Sequence, residues 1–203
     1  MSFKILGDGM KKILFAFLFS ILIYSCGEKF PVVDDFGDNH YNLVDQDNKP
    51  VVFPDFVKGN IVVMNYIFTN CPDICPLSTN NMRLIQEQLK KENIKNVRFV
   101  SLSFDPLNDT PDVLTKFAEV RNLDLSNWDF LTGEKKVTDA LIKQARVIAV
   151  PGDSTILKSG KKIIYYVHTD RISLIDAEGK IRKNFVGSKI DVAGIVNDIK
   201  SLQ

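Results

Sequence analysis

An apolar run that leads straight into a pair of cysteines and then into a helical repeat constrains the fold most. Residues 60–68 read NIVVMNYIF, rich in β-branched and large apolar side chains, and predict a strand buried on both faces. CPDICP follows at 71–76, and beyond it Met82, Ile85 and Leu89 recur at helical spacing. The sequence therefore predicts a strand that delivers Cys71 and Cys75 to the start of a helix.

That order of strand, cysteine pair and helix is the thioredoxin-like arrangement. The remaining pattern predicts a hairpin at 41–53, a strand at 97–104, helices at 110–121, 137–148 and 191–202, a β-rich run at 162–176 and a returning strand at 181–187. Early strand–helix–strand units favour parallel pairing, and the late hairpin adds antiparallel strands. The predicted fold class is α/β, thioredoxin-like, with a mixed central sheet, helices on both faces and an added β-hairpin.

The N-terminal residues predict a targeting segment, not a part of the fold. Residues 13–25 read ILFAFLFSILIYS after Lys11 and Lys12, an apolar run too short to span a membrane comfortably. Residues 1–25 are thus interpreted as a signal segment, in which Met10 is a natural start and residues 1–9 an upstream mis-start. We assign residues 26–40 to lipid attachment and a tether, and residues 41–203 to the thioredoxin-like domain.

Cys26 follows IYS directly, which resembles a bacterial lipoprotein cleavage site. On this interpretation Cys26 carries the lipid, and the domain lies in the cell envelope, outside the cytoplasm. The alternative is an uncleaved signal anchor with an unmodified cysteine, which also tethers the domain to a membrane. In the lipidated form, Cys71 and Cys75 are the only thiols left among the three cysteines of the chain.

The charge balance excludes one class of partner. The chain has 26 Lys and Arg against 25 Asp and Glu, so it lacks the basic excess of a nucleic-acid-binding protein. Its 203 residues suit one folded domain. We expect a monomer that binds no nucleic acid.

The spacing of Cys71 and Cys75 allows a redox pair, a disulfide staple or part of a metal site. Residues four apart lie on one helix face, and a helix N-terminus favours thiolates, although Asp73 opposes a second negative charge. A staple is the least favoured, because so short a loop constrains the unfolded chain little. Two thiolates are an incomplete zinc site, whereas two thiolates and one imidazole suit Cu(I).

Four side chains are candidates for a third ligand. His40 lies in a polar segment and is interpreted as a solvated surface residue, while His168 lies within a strand pattern and is predicted to be partly buried. Taken alone, a strand histidine is more often a hydrogen-bonded core residue than a ligand. Met64 and Met82 fall on apolar positions of a strand and a helix, which favours core packing.

Several motifs together resemble the Sco/SenC family. They are CPDICP at 71–76, SFDPLNDTP at 103–111, WDFLTG at 128–133, and His168 followed by SLID at 173–176, and the likeness runs from residue 41 through the terminal helix. The resemblance implies a membrane-anchored, thioredoxin-like copper protein with an extra hairpin, whose partner is the copper-site subunit of cytochrome c oxidase or another copper protein. It implies Cys71, Cys75 and His168 as ligands of a copper ion, Cu(I) and also Cu(II). The family often has an acid before this histidine, where the chain has Val167.

Other functions use the same residues. A thiol–disulfide oxidoreductase acting on a copper-site partner would employ Cys71 and Cys75 as its redox pair. A peroxidase of this fold would need proline and threonine in PxxxTxxC where the chain has Met64 and Phe68. Asp105 and Asp109 could be catalytic carboxylates, but we interpret them as structural, with Asp109 and Thr110 forming a turn and a helix cap.

Overall fold

Six strands build the central sheet of the protein, as seen in a computed structural model that describes residues 30–36, 39–160 and 162–203. Their spatial order is β1, β10, β9, β4, β5, β6, with bounds β1 Asp34–Asp35, β4 Ile61–Ile67, β5 Val97–Ser103, β6 Trp128–Leu131, β9 Ile172–Ile175 and β10 Lys180–Phe185. The pairs β4–β5 and β5–β6 are parallel, whereas β4–β9, β9–β10 and β10–β1 are antiparallel. The predicted mixed sheet is confirmed, and every residue of the central strand β4 is buried.

Within the described residues, four α-helices accompany the sheet. Their bounds are α1 Ile74–Lys91, α2 Pro111–Val120, α3 Lys135–Gln144 and α4 Val192–Lys200. Helix α1 packs against α4, and α3 packs against the β2 strand described below. The helix predicted over 110–121 is confirmed: it starts at Pro111, and Thr110 is the residue before its first turn. The Thr110 hydroxyl, predicted to cap the helix, makes no capping hydrogen bond. The thioredoxin-like α/β fold class is confirmed.

In the part of the chain that the structure describes, two hairpins lie outside the central sheet. The predicted one joins β2 (Tyr41–Val44) to β3 (Pro50–Phe53). The second joins β7 (Ala149–Ile156) to β8 (Lys162–His168), which the sequence pattern did not reveal. The run predicted over 162–176 is in fact two strands in different sheets, β8 and β9. Strand β7 was missed because Pro151 and Gly152 are typical of turns, and the register indeed shifts between Pro151 and Ser154.

The compact unit of the described chain covers residues 32–203. Its core is apolar and aromatic, with Trp128, Phe53 and Phe99 fully buried. Residues 34–36 of the segment assigned to a tether join this unit, since β1 pairs with β10 and Phe36 is buried. The predicted signal segment and Cys26 lie outside the described residues. Among the described helices, none has the length and apolar character that a membrane crossing requires.

Candidate metal centre

The two cysteines lie on either side of the start of α1, at the carboxyl end of β4. Cys71 is in the turn before the helix, where its N–H donates to the Phe68 carbonyl at 3.1 Å, and Cys75 is the second residue of the helix. Both are buried free thiols. The sequence placed both cysteines on the helix face, which is wrong for Cys71: the turn, and not the helical repeat, brings it beside Cys75. The Cys75 N–H points back to the Cys71 sulfur at 3.4 Å.

His168 reaches the cysteines from the last position of β8. Its Nε2 lies 3.7 Å from the Cys75 sulfur and 4.0 Å from the Cys71 sulfur. The other ring nitrogen, Nδ1, lies 3.1 Å from the Thr169 carbonyl oxygen, so Nδ1–H donates there and Nε2 faces the sulfurs. A protonated ring donates from Nε2 to the Cys71 sulfur, and a neutral ring offers the Nε2 lone pair to a metal ion. Phe68 and Phe104 pack against the imidazole, with ring centroids 5.8 and 5.2 Å from it.

These three ligand atoms, taken from the described residues, all lie within 4.8 Å of one another. The spacing can be compared with that around an ion. Metal–sulfur and metal–nitrogen bonds of about 2.3 and 2.0 Å at planar angles of 120° would put sulfur and nitrogen about 3.7 Å apart. The observed separations of 3.7 and 4.0 Å are close to that value. The donor set therefore fits a three-coordinate ion with little movement.

The two thiols differ sharply in acidity. The pKa of Cys71 is lowered to about 4, chiefly by a hydrogen bond from the Cys75 thiol and also by His168, while burial acts in the opposite direction. The pKa of Cys75 is raised, because its thiol donates to the Cys71 sulfur and is buried. Burial lowers the pKa of His168, but bonds to Cys71 and Thr169 outweigh it and raise the pKa. One thiolate is thus formed in advance, and Cys75 must lose a proton to bind metal.

A model of the SCO1/SenC family matches residues 33–203 of the chain. The chain belongs to the SCO1/SenC family. A SCO1 protein homolog from Bacillus subtilis (strain 168) is 35% identical over 162 residues, which cover 79% of this chain and 80% of the homolog. The family match includes the cysteine motif, the second hairpin and the terminal helix.

Solved SCO1/SenC structures share the fold. A family lipoprotein from Bacillus anthracis str. Ames has a TM-score of 0.70 and 32% identity, covering 86% of this chain and 97% of its own. ScoI from Bradyrhizobium japonicum, solved with copper bound, has a TM-score of 0.67 and 25% identity over 81% of this chain and 98% of its own. BsSco, described as having a disulfide switch and as a member of the Sco family of cytochrome c oxidase assembly proteins, has a TM-score of 0.66 and 31% identity, covering 83% and 94%.

The other candidate ligands of this SCO1/SenC chain lie away from the centre. His40 is on the surface, which agrees with its interpretation as a surface residue, and its Nδ1 lies 2.6 Å from Asp55 Oδ2. Met64 and Met82 are fully buried in the apolar core, which agrees with their assignment as core residues. Val167 is 72% exposed, and the period of the strand turns it to the face of β8 opposite His168.

The aromatic side chains that pack around the SCO1/SenC site were not predicted from the sequence; they are Phe68, Phe104 and Tyr166. Phe68 directly follows β4 and Phe104 directly follows β5. The turn over residues 68–71, which ends at Cys71, is here called the cysteine turn. Because parallel neighbouring strands end at the same edge of the sheet, the position of Phe104 directly after β5 indicated that its ring would lie beside this turn. Tyr166, which packs on both phenylalanines from β8, gave no such signal, since its strand belongs to another sheet.

Proposed function

We propose that the protein is a copper chaperone that binds one copper ion through Cys71, Cys75 and His168 and hands it to the copper-site subunit of cytochrome c oxidase or to another copper protein. The observation that carries this proposal is the convergence of two sulfurs and one imidazole nitrogen within 4.8 Å. Membership of a family of copper-binding proteins in cytochrome c oxidase assembly supports it. The protein acts as a monomer.

The donor set favours Cu(I). Thiolates are soft ligands, and a set of two sulfurs and one nitrogen suits a low-coordinate soft ion better than zinc, which takes four ligands in structural sites. The imidazole also suits Cu(II), so the same residues can hold the oxidised ion. Copper is cargo here. Binding of the ion displaces the proton of the Cys75 thiol, and return of a proton to that sulfur favours release of the ion.

X-ray absorption of the copper-loaded protein tests the proposal. We expect the full chain carrying Cys26→Ser, reduced so that Cys71 and Cys75 are its only thiols, to bind one copper ion with two sulfur neighbours and one nitrogen neighbour. The Cys26→Ser change removes the third thiol of the chain without touching the described site. Failure to retain copper, or retention of zinc in a four-coordinate site, would contradict the proposal.

We further propose that Cys26 is the lipid-bearing residue of a cleaved lipoprotein, which tethers the domain to the membrane on its extracytoplasmic side. The likeness to a SCO1/SenC family lipoprotein supports this assignment. Mass spectrometry of the mature protein should find a chain that begins at Cys26 and carries acyl groups. A Cys26→Ser chain should lose them and keep the signal segment. An unmodified Cys26 in an uncleaved chain would contradict the assignment.

Thiol–disulfide exchange by Cys71 and Cys75 is a second candidate function. The observation that favours it is the asymmetry of the pair, one thiol with a pKa near 4 beside one with a raised pKa. His168→Ala separates the two functions. A chaperone loses copper delivery with this change. An oxidoreductase that reduces a disulfide of its partner to two thiols, while Cys71 and Cys75 become oxidised to a disulfide, still supports assembly of the partner's copper site.

A further inference from the structure

A short loop between β5 and α2 contacts both halves of the metal centre. It carries two buried carboxylates, Asp105 and Asp109, here called the aspartate bracket. Their backbones form one turn, in which the Asp109 N–H donates to the Asp105 carbonyl at 2.9 Å. The turn interpretation made from the sequence is therefore correct. Neither carboxylate reaches the three-atom ligand group formed by the described residues, so the bracket acts on the site through its neighbours.

Asp109 holds the cysteine side. One of its oxygens accepts hydrogen bonds from the Thr69 N–H at 3.0 Å and from the Ser103 hydroxyl at 2.6 Å. The other accepts the Thr69 hydroxyl at 2.5 Å. Thr69 stands two residues before Cys71, and Ser103 is the last residue of β5. Asp109 thus fixes the cysteine turn to the end of the neighbouring strand.

Asp105 holds the histidine side. Its Oδ1 accepts the Tyr166 hydroxyl at 3.3 Å, and its Oδ2 accepts the side-chain amide of Asn108 at 2.9 Å. Tyr166 precedes His168 by two residues on β8, so both side chains project from the same face of the strand. The Tyr166 ring also packs edge-on against Phe68 and Phe104, the two rings that contact the imidazole.

The main chain brings His168 close to the cysteines, since Ile172, four residues later, pairs with Asn65 near the end of β4, but it does not set the position of the imidazole ring. The cysteine turn extends from a strand of the central sheet, whereas β8 pairs with β7 in a separate two-stranded sheet. The ligands are also 93 and 97 positions apart in the chain. Side-chain contacts therefore contribute to the final distance between the imidazole and the sulfurs, and the bracket contacts the segments on both sides.

We propose that the aspartate bracket positions the two halves of the metal centre, with Asp109 acting through Thr69 on the cysteine turn and Asp105 acting through Tyr166 on His168. This inference rests on the proposed copper function and deepens it. Groups that orient metal ligands through hydrogen bonds typically change metal affinity about 10- to 100-fold when they are removed. Asp105 and Asp109 are positioning residues, and their oxygens are already engaged by the loop and its neighbours.

Two hydroxyl deletions test the bracket in the full chain carrying Cys26→Ser. Tyr166→Phe removes the bond to Asp105 and keeps the ring, and Thr69→Val removes one bond to Asp109 at nearly equal volume. We expect each to weaken Cu(I) binding about 10- to 100-fold in competition with a chromophoric chelator. Tyr166→Phe should also reduce the nitrogen contribution in the X-ray absorption spectrum, which a general loss of stability would not do.

Matched controls remove equivalent bonds elsewhere. Tyr66→Phe deletes a buried hydroxyl bonded to Ser173 at 3.4 Å, and Thr115→Val deletes a hydroxyl bonded to the Gln46 carbonyl at 2.7 Å. Both should bind Cu(I) as tightly as the unmodified protein. If either bracket variant binds as its control does, or loses affinity only in proportion to its loss of stability, the proposal is overturned.

Asp109 offers a conservative rescue. In Asp109→Asn the amide oxygen can still accept from the Thr69 N–H and from Ser103, while the amide NH₂ donates to the Thr69 hydroxyl, which can also accept. We expect near-normal copper affinity for Asp109→Asn and a loss for Asp109→Ala, which leaves the partly buried Thr69 N–H without its acceptor. Equal affinity in these two variants would overturn the role of Asp109.

NMR spectra of the metal-free variants test the aspartate bracket independently of the proposed copper function. In Tyr166→Phe the His168 ring protons should move toward the shifts of a free histidine, because they leave the rings of Phe68 and Phe104. The Cys75 amide proton, which donates to the Cys71 sulfur, should shift in Thr69→Val and stay in place in Thr115→Val. If the unmodified protein binds no copper, the proposed function fails. If these resonances do not move, the bracket fails whether or not copper binds.

Discussion

Replacing either Cys71 or Cys75 by serine is expected to weaken Cu(I) binding by on the order of 10²- to 10³-fold. A serine hydroxyl stays protonated at neutral pH and is a hard ligand, so it does not replace a soft thiolate. Four-ligand zinc sites bind with about 10–16 kcal/mol, or roughly 2.5–4 kcal/mol per ligand, and about 1.4 kcal/mol corresponds to a factor of ten. Chelator competition with the reduced protein measures the loss directly.

The remaining cysteine and the remaining histidine of the chain, Cys26 and His40, provide control variants for the copper affinity. Cys26→Ser and His40→Ala should leave the affinity unchanged, since Cys26 is assigned to the lipid and His40 contacts Asp55 at the surface. His168→Ala should bind less tightly than the unmodified protein but retain a two-sulfur site. Equal copper affinity in Cys71→Ser, Cys75→Ser, His168→Ala and the unmodified chain would show that copper is held elsewhere.

Replacing Asp176 by alanine should cost about 3–5 kcal/mol of unfolding free energy, the typical cost of breaking a buried ion pair on one side. Asp176 Oδ2 lies 2.5 Å from Arg182 Nε, with side chains only 9% and 8% exposed. Its Oδ1 also accepts the N–H groups of Glu178 and Lys180, which closes the turn between β9 and β10. The alanine variant therefore leaves a buried guanidinium and two turn N–H groups without this partner. Denaturant unfolding measures the change.

Two comparison variants sharpen this result. Asp176→Asn can keep acceptors for the turn and should be less destabilised than the alanine variant. Lys49→Ala breaks an exposed pair with Asp47 and should cause no measurable change. All three should bind copper normally, because Ile175 pairs with Val62 near the start of β4 while the cysteine turn follows its end. A loss below 1 kcal/mol in Asp176→Ala would show that this pair does not stabilise the hairpin.

Strong local patterns explain why much of the fold is predictable. The buried run that forms β4, the helical repeat of α1 and the turn before β10 each have a clear period or turn signal. Strand β6 follows a helix with few flanking signals and covers four residues, so its pattern is too short to detect. Strand β7 is almost entirely exposed, and an exposed strand lacks the alternation that reveals half-buried ones.

The candidate metal centre was likewise predictable from the sequence only in part. The cysteine pair and its place after a strand follow from local sequence. The role of His168 could be inferred only through family resemblance, because nothing in the pattern of β8 reveals that its end faces the cysteine turn. The contact between Tyr166 and Asp105 spans 61 positions and joins β8 to the loop after β5, and local periods carry no information about such pairs.

The distribution of the ligands along the chain also links metal binding to contact order. The two sulfurs meet within one local turn, whereas bringing the imidazole to them closes a loop of 93 positions from Cys75 to His168. Loop closure of this kind is slower and costs chain entropy before any contact repays it. An ion held by all three ligands therefore acts as a reversible crosslink between the early and late parts of the fold. Its binding adds to the free energy of unfolding as the logarithm of its concentration relative to its dissociation constant.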